Sequence, residues 1–188
     1  MPVSSSLRPV DADVDVDDDE DEDEEVETLA ERLFELSMDL AAAEPDDACQ
    51  MALELVHEFV HTEAASVARG TINDPALTFV AATGPVGQSI LGRTVPFGSG
   101  LVGLAFDVGG TLLVNDAGSD SRHLADLDRE TGFHTMAALC VPIVTSDNRS
   151  FGVIQLLNPP SRKFSQDDVE VVETIARTLA TNLAAAMG

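Results

Sequence analysis

Two apolar runs, residues 135–144 and 151–157, flank the polar stretch 145–150, and this pairing constrains the chain more than any other feature. Runs of that length broken by a turn-forming segment are the signature of a β-hairpin. A lone hairpin is marginal in water, so the other elements must build on it.

Three more β-prone runs precede the hairpin at 65–69, 77–82 and 93–97, and a fourth lies at 111–115. The first two are joined through Asn73-Asp74-Pro75, residue types that favour turns. Helical periodicity brackets the strands. Leu29, Leu33, Leu36 and Leu40 recur on one helical stripe within 26–43. Cys49, Ala52, Leu53, Val56 and Val60 form a second stripe, which begins after Glu44-Pro45 and ends near His61. Ser165-Gln166-Asp167-Asp168 has the arrangement of a capping box, with Asp in place of Glu. It opens a long helix over 165–187, whose stripe is Val172, Ile175, Leu179, Leu183 and Ala186. The expected plan is α+β, an antiparallel sheet of about six strands with N- and C-terminal helices packed on one face.

Charge divides the chain. The formal net charge is −24, and half of it falls within residues 1–28. The run DADVDVDDDEDEDEE has almost nothing to bury and repels itself, so residues 1–25 read as a disordered acidic tail before a domain spanning 26–188. The tail serves solubility or meets a basic protein partner. Neither half offers the positive surface that nucleic acid requires. No apolar run approaches the ~18 residues of a membrane span, and the first residues carry no charged-then-apolar leader, so the reading is cytoplasmic.

Two letter patterns invite chemistry. His57-Glu58-Phe59-Val60-His61 matches the H-E-x-x-H of zinc hydrolases, in which both histidines project from one helix face. His61, however, falls where the helix ends. Gly98-Ser99-Gly100-Leu101-Val102-Gly103 matches the dinucleotide fingerprint, but Asp107-Val108-Gly109-Gly110 halts the following helix before it can make a crossover. Cys140 lies inside an apolar run and reads as a small core residue, and Cys49 sits on a helix stripe. His123 and His134 read as surface or partly buried side chains rather than ligands.

A longer succession is far more specific. It runs Val95-Pro96, Ser99-Gly100-Leu101-Val102-Gly103, Leu113-Val114-Asn115-Asp116, Thr131-Gly132-Phe133, Cys140-Val141-Pro142-Ile143, Gly152 to Asn158, and Phe164 with Asp168. In this order and spacing it resembles a GAF domain over residues 45–187, with local likeness to those of cyclic-GMP-regulated phosphodiesterases. The resemblance implies a ligand pocket on the sheet face opposite the helices, beneath the segment 116–135. It implies ligand contacts from Ser66, Phe97, Leu101, Val102, Asp116, Leu124, Asp128, Thr131, Thr135 and Gln155. It also marks departures. A base-stacking phenylalanine is replaced by Ala81 or Ala82, an aromatic by Leu124, and an acid in the last strand by Gln155. The family's Asn-Lys, Phe, Asp-Glu signature keeps Asn158, Phe164 and Asp168 but has Pro159 and Val169 at its lysine and glutamate.

The expected function is therefore a non-catalytic regulatory module that senses a small ligand, dimerises through its terminal helices, or does both, and signals to another protein. Cyclic nucleotide is a weak candidate ligand, given the missing aromatics, and no particular cofactor is implied. The alternatives are a ligand-free interaction module and a zinc hydrolase using His57, Glu58 and His61.

Overall fold

The computed structural model describes residues 28–40, 42–85, 87–122 and 129–187. The acidic segment 1–25 lies outside them, as do His123, Leu124 and Asp128.

The elements are α1 (Leu29–Leu40), α2 (Pro45–Phe59), β1 (Ala64–Arg69), β2 (Leu77–Ala82), α3 (Gly87–Ile90), β3 (Thr94–Val95), α4 (Gly100–Val108), β4 (Leu112–Val114), β5 (Ala138–Val144), β6 (Ser150–Leu157) and α5 (Gln166–Met187). Among the described residues, six strands form one sheet in the order β3-β2-β1-β6-β5-β4. Every neighbouring pair is antiparallel. The hairpin read from the sequence is β5–β6, and it lies near the middle of the sheet.

Alternation along the strands separates two apolar layers. Leu139, Val141 and Ile143 of β5, Ile154 and Leu156 of β6, and Ala65 and Val67 of β1 face α1, α2 and α5. Most of each stripe expected on the terminal helices is consumed there: Leu36 and Leu40 of α1 and Val172, Ile175, Leu179 and Leu183 of α5 are buried, and Leu29 and Leu33 are half-buried. Ala186, expected on the α5 stripe, is instead exposed, because it lies in the last turn beyond the sheet-packed part. The opposite face carries Ala68, Phe79, Ala138, Cys140 and Val153 and is covered by α4 through Leu101, Val102, Ala105 and Phe106.

Local chemistry sets the boundaries. At α5, the Ser165 backbone N–H and hydroxyl both donate to Asp168 Oδ2 (2.7 and 2.8 Å), and the Asp168 N–H donates back to Ser165 Oγ at 3.1 Å. This is the reciprocal cap that the sequence implied, and it occupies the Asp168 carboxylate. α4 ends at Gly109, whose left-handed φ of 65° closes the helix after nine residues. Its Gly103 packs so closely on the β3 exit that a Cβ would meet Pro96 O at 2.3 Å.

Three expectations need correction. The second helix stops at Phe59, because Val60 turns to an extended conformation (φ −125°) and buries its side chain. The strand expected from 135 begins at Ala138, because the Met136 and Ala137 N–H groups donate to the Asn158 side chain instead of continuing the ladder. The run 93–97 contributes only Thr94–Val95 to the sheet.

Candidate ligand site

The α4 face of the sheet carries one polar row. Register aligns Ala82, Ser66, Gln155, Cys140 and Leu112 across β2, β1, β6, β5 and β4. Ser66, only 2% exposed, donates its hydroxyl to Gln155 Oε1 at 3.4 Å, and Gln155 Nε2 reaches Cys140 Sγ at 3.8 Å. Both contacts are long, so these groups are weakly satisfied and can exchange partners for a ligand. Ala68, Ala82 and Ala138 lie on the same face and leave space beside the row, while Phe79 and Val153 supply its apolar floor. An apolar face with a few polar atoms is the material of a ligand pocket.

The sequence leaves open whether Ala81 or Ala82 takes the stacking position. A bulge between Val67 and Ala68 decides it. Ala81 turns into the helix layer, and Ala82 sits beside Ser66 on the α4 side.

Of the remaining expected contacts, Phe97 packs against the α4 layer. Leu101 and Val102 are buried in the α4 layer. Phe97 stacks on Phe106, with centroids 4.9 Å apart and planes 17° from parallel. Thr135 is buried at 2% exposure, and Thr131 is half-buried with its hydroxyl accepting from the Phe133 N–H. Asp116 follows β4. It is exposed and accepts from the Ser119 hydroxyl at 2.7 Å. Leu124 and Asp128 lie outside the described residues.

Asn158 is a residue that sequence reasoning placed in a signature but not in the site. It is 5% exposed with φ 55°. Its Oδ1 accepts from Met136 N–H (2.7 Å) and Ala137 N–H (3.2 Å), and its Nδ2 donates to His134 O and Glu63 Oε2, both at 2.8 Å. One side chain thus ties the approach to β5 to the end of β6 and the start of β1. An Asn directly after a buried strand, a residue type that tolerates left-handed backbone, was the available signal.

The zinc reading does not fit. With the helix ended at Phe59, His57 and His61 no longer share one helix face. His57 Nε2 lies 2.6 Å from Thr83 Oγ1, and Glu58 forms a two-pronged pair with Arg32 Nε and Nη2, each at 2.9 Å. Among the described residues, no group of three or more His, Cys, Asp or Glu is placed to hold a metal ion.

Burial, and secondarily the nearby His61, holds the His57 imidazole below its ordinary value. The unfolded chain then binds this proton more readily, so His57 contributes stability above the ordinary histidine value that fades as pH falls through its lowered one. Unfolding titrations from pH 7.5 to about 5 should show a slope that His57→Gln reduces. An unchanged slope would assign the loss to other groups.

Burial also pushes the Cys49 and Cys140 thiols up to about 12, and both are free. They should resist a thiol reagent in the native protein and react together on denaturation. Fast native labelling of Cys140 would mean that the α4 face opens freely to solvent.

With this geometry in place, comparison defines the class. The GAF domain model matches residues 44–183. That is most of the chain, and the protein belongs to the GAF family. Among curated proteins, it is 37% identical over 81 residues to the dual 3',5'-cyclic-AMP and -GMP phosphodiesterase 11A of Takifugu rubripes, covering 42% of this chain and 9% of that protein. It is 32% identical over 79 residues to a cGMP-specific 3',5'-cyclic phosphodiesterase of Drosophila melanogaster, covering 41% of this chain and 7% of that protein. The match therefore spans less than a tenth of these relatives' length. Among solved structures, the GAF domain of a phosphoenolpyruvate-protein phosphotransferase from Coxiella burnetii superposes with a TM-score of 0.72 at 20% identity, covering 85% of this chain and 94% of that one. A free methionine-R-sulfoxide reductase from Neisseria meningitidis, solved with its substrate, gives 0.67 at 20% identity, covering 85% and 90%. These likenesses establish the fold. Among the described residues, no helix is long and apolar enough to cross a membrane.

Proposed function

We propose that this chain is a non-catalytic regulatory GAF module that binds a small polar ligand on the α4 face of its sheet. The observation that carries this reading is the weakly satisfied row Ser66–Gln155–Cys140, set beside Ala68, Ala82 and Ala138 on an apolar face. Ligand bound there would touch β1, β5 and β6 together and bias the helices on the sheet's other face. With Ala82 where an aromatic would stack, a purine loses a contact worth roughly 1–3 kcal/mol, which disfavours cyclic nucleotides as the ligand. A thermal-shift screen of cyclic nucleotides, oxo-acids and haem tests the proposal. Stabilisation by one class, lost in Ser66→Val with Gln155→Leu, supports it; stabilisation by none argues for a ligand-free module.

A second reading, dimerisation, is favoured by α1. Phe34 and Met38 are 69% and 64% exposed, one helical turn apart, on the side away from the core. Since the other α1 leucines are spent on the domain's own core, a homodimer would use this outer face. Sedimentation of the intact chain and of Phe34→Glu with Met38→Glu distinguishes the two states. A monomer in both removes the dimer. The acidic segment remains a proposed contact for a basic protein partner, and the cytoplasm the proposed compartment.

A further inference from the structure

At the end of α2 lies a cavity of about 450 Å³, within the range of small-molecule sites, that shares no lining residue with the α4 face. His57, His61, Glu63, Met136, Asn158 and Arg162 line it, with Pro159 and Pro160 completing the wall. We propose that this cavity is a second binding site, for a small zwitterion of the free amino-acid type, with its carboxylate on Arg162 and its ammonium on Glu63.

Charge pairing elsewhere in the molecule sets Arg162 apart. Arg32, Arg69, Arg93, Arg122, Arg149 and Arg177 each stand within 4 Å of a carboxylate. Arg162 does not; among the described residues no ion pair joins it, or Glu63, to an opposite charge. A guanidinium and a carboxylate thus line one cavity without pairing to each other, in a protein whose acids greatly outnumber its bases. A simple anion would meet Glu63 and a simple cation would meet Arg162. A molecule carrying both charges satisfies both.

Backbone and an apolar wall shape the cavity. Arg162 has φ 65°, unusual for a residue with a side chain, and its N–H donates to Pro159 O at 2.8 Å. This turn, stiffened by two prolines, fixes where the guanidinium starts. Met136 is 42% exposed and lines the same cavity, an apolar surface for the body of the ligand. The imidazoles of His57 and His61 add groups that can donate or accept.

The site is also wired to the rest of the domain. Glu63 accepts from Asn158 Nδ2, and the same Asn158 holds His134, Met136 and Ala137. An occupant that pulls on Glu63 therefore acts on the segment entering β5. This proposal stands independently of ligand binding on the α4 face.

The test is an amide NMR titration of the intact ¹⁵N-labelled chain with each common amino acid at millimolar concentration. Each one that shifts the spectrum is followed by its N-acetyl and amide counterparts, which retain a single charge. At least one amino acid should move the Thr62, Met136, Asn158 and Arg162 signals. Its two blocked forms, and the variants Arg162→Gln and Glu63→Gln, should each bind roughly tenfold to a hundredfold more weakly. Glu63→Gln keeps an acceptor for Asn158, so the fold is retained, and amide dispersion confirms this for both variants. No response to any amino acid, equal binding of a blocked form, or shifts confined to Ser66, Val102 and Gln155 would overturn the proposal.

Discussion

Replacing Asn158 with Ala should cost about 3 to 5 kcal/mol and lower the melting temperature by roughly 10–15 °C. The side chain is buried and makes four hydrogen bonds, two accepted and two donated. Its removal leaves the Met136 and Ala137 N–H groups and the His134 carbonyl short of partners, and an unsatisfied buried group costs roughly 1–3 kcal/mol. The left-handed backbone adds strain of about 1 kcal/mol once Asn is replaced by Ala. Asn158→Gly separates the two contributions, since it relieves the backbone but still loses the hydrogen bonds. The expected order of stability is wild type, then Gly, then Ala, measured by thermal and urea unfolding. Asn158→Ala within 1 kcal/mol of wild type would show that the 131–137 segment is held by other contacts.

Gly152→Ala should be as damaging, on the order of 3 to 5 kcal/mol, for a purely steric reason. Gly152 sits in β6 between Arg69 of β1 and Ile143 of β5, with φ 152°. An added Cβ would lie 2.3 Å from Ala68 O and 3.0 Å from Arg69 Cα, both backbone atoms that cannot swing aside. The β1–β6 pairing would have to part, carrying with it the register that sets Ser66 against Gln155. Against a typical domain stability of roughly 5–15 kcal/mol, the variant should unfold at much lower denaturant or fail to accumulate as soluble protein. Gly109→Ala is the useful contrast. That glycine also has positive φ, but a Cβ there meets nothing within 4 Å, so its cost should be only the backbone strain of about 1 kcal/mol.

These two positions show how the sequence carries the fold. The β5–β6 hairpin is legible because both strands are largely buried and mostly apolar, with a polar turn between them. α5 was legible because its cap and its stripe agree. Asn158 belongs to a recognisable signature, but its grip on Met136 and Ala137 depends on atoms 21 and 22 residues away, so periodicity alone places the start of β5 three residues too early. The choice between Ala81 and Ala82 was likewise illegible. Periodicity counts residues and does not reveal the bulge that shifts their faces. α3, at four residues, is too short to carry a periodic signal.

The candidate site follows the same division. Ser66 and Gln155 could be named from sequence because each matches a motif position, but their contact and the alignment with Cys140 arise from strand register. The cavity at the end of α2 left no sequence motif except the H-E-x-x-H letters. Its charged members come from the α2–β1 and β6–α5 connections, which only the folded sheet brings together.

An amide chemical-shift map with the strongest compound from the thermal-shift screen tests ligand binding at the α4 face of this GAF domain. The largest changes should fall on Ser66, Leu101, Val102, Cys140 and Gln155, with saturation, and Ser66→Val combined with Gln155→Leu should abolish them. Saturable binding mapped to the helix-covered face of the sheet, or unchanged affinity in the double variant, would contradict binding at the α4 face.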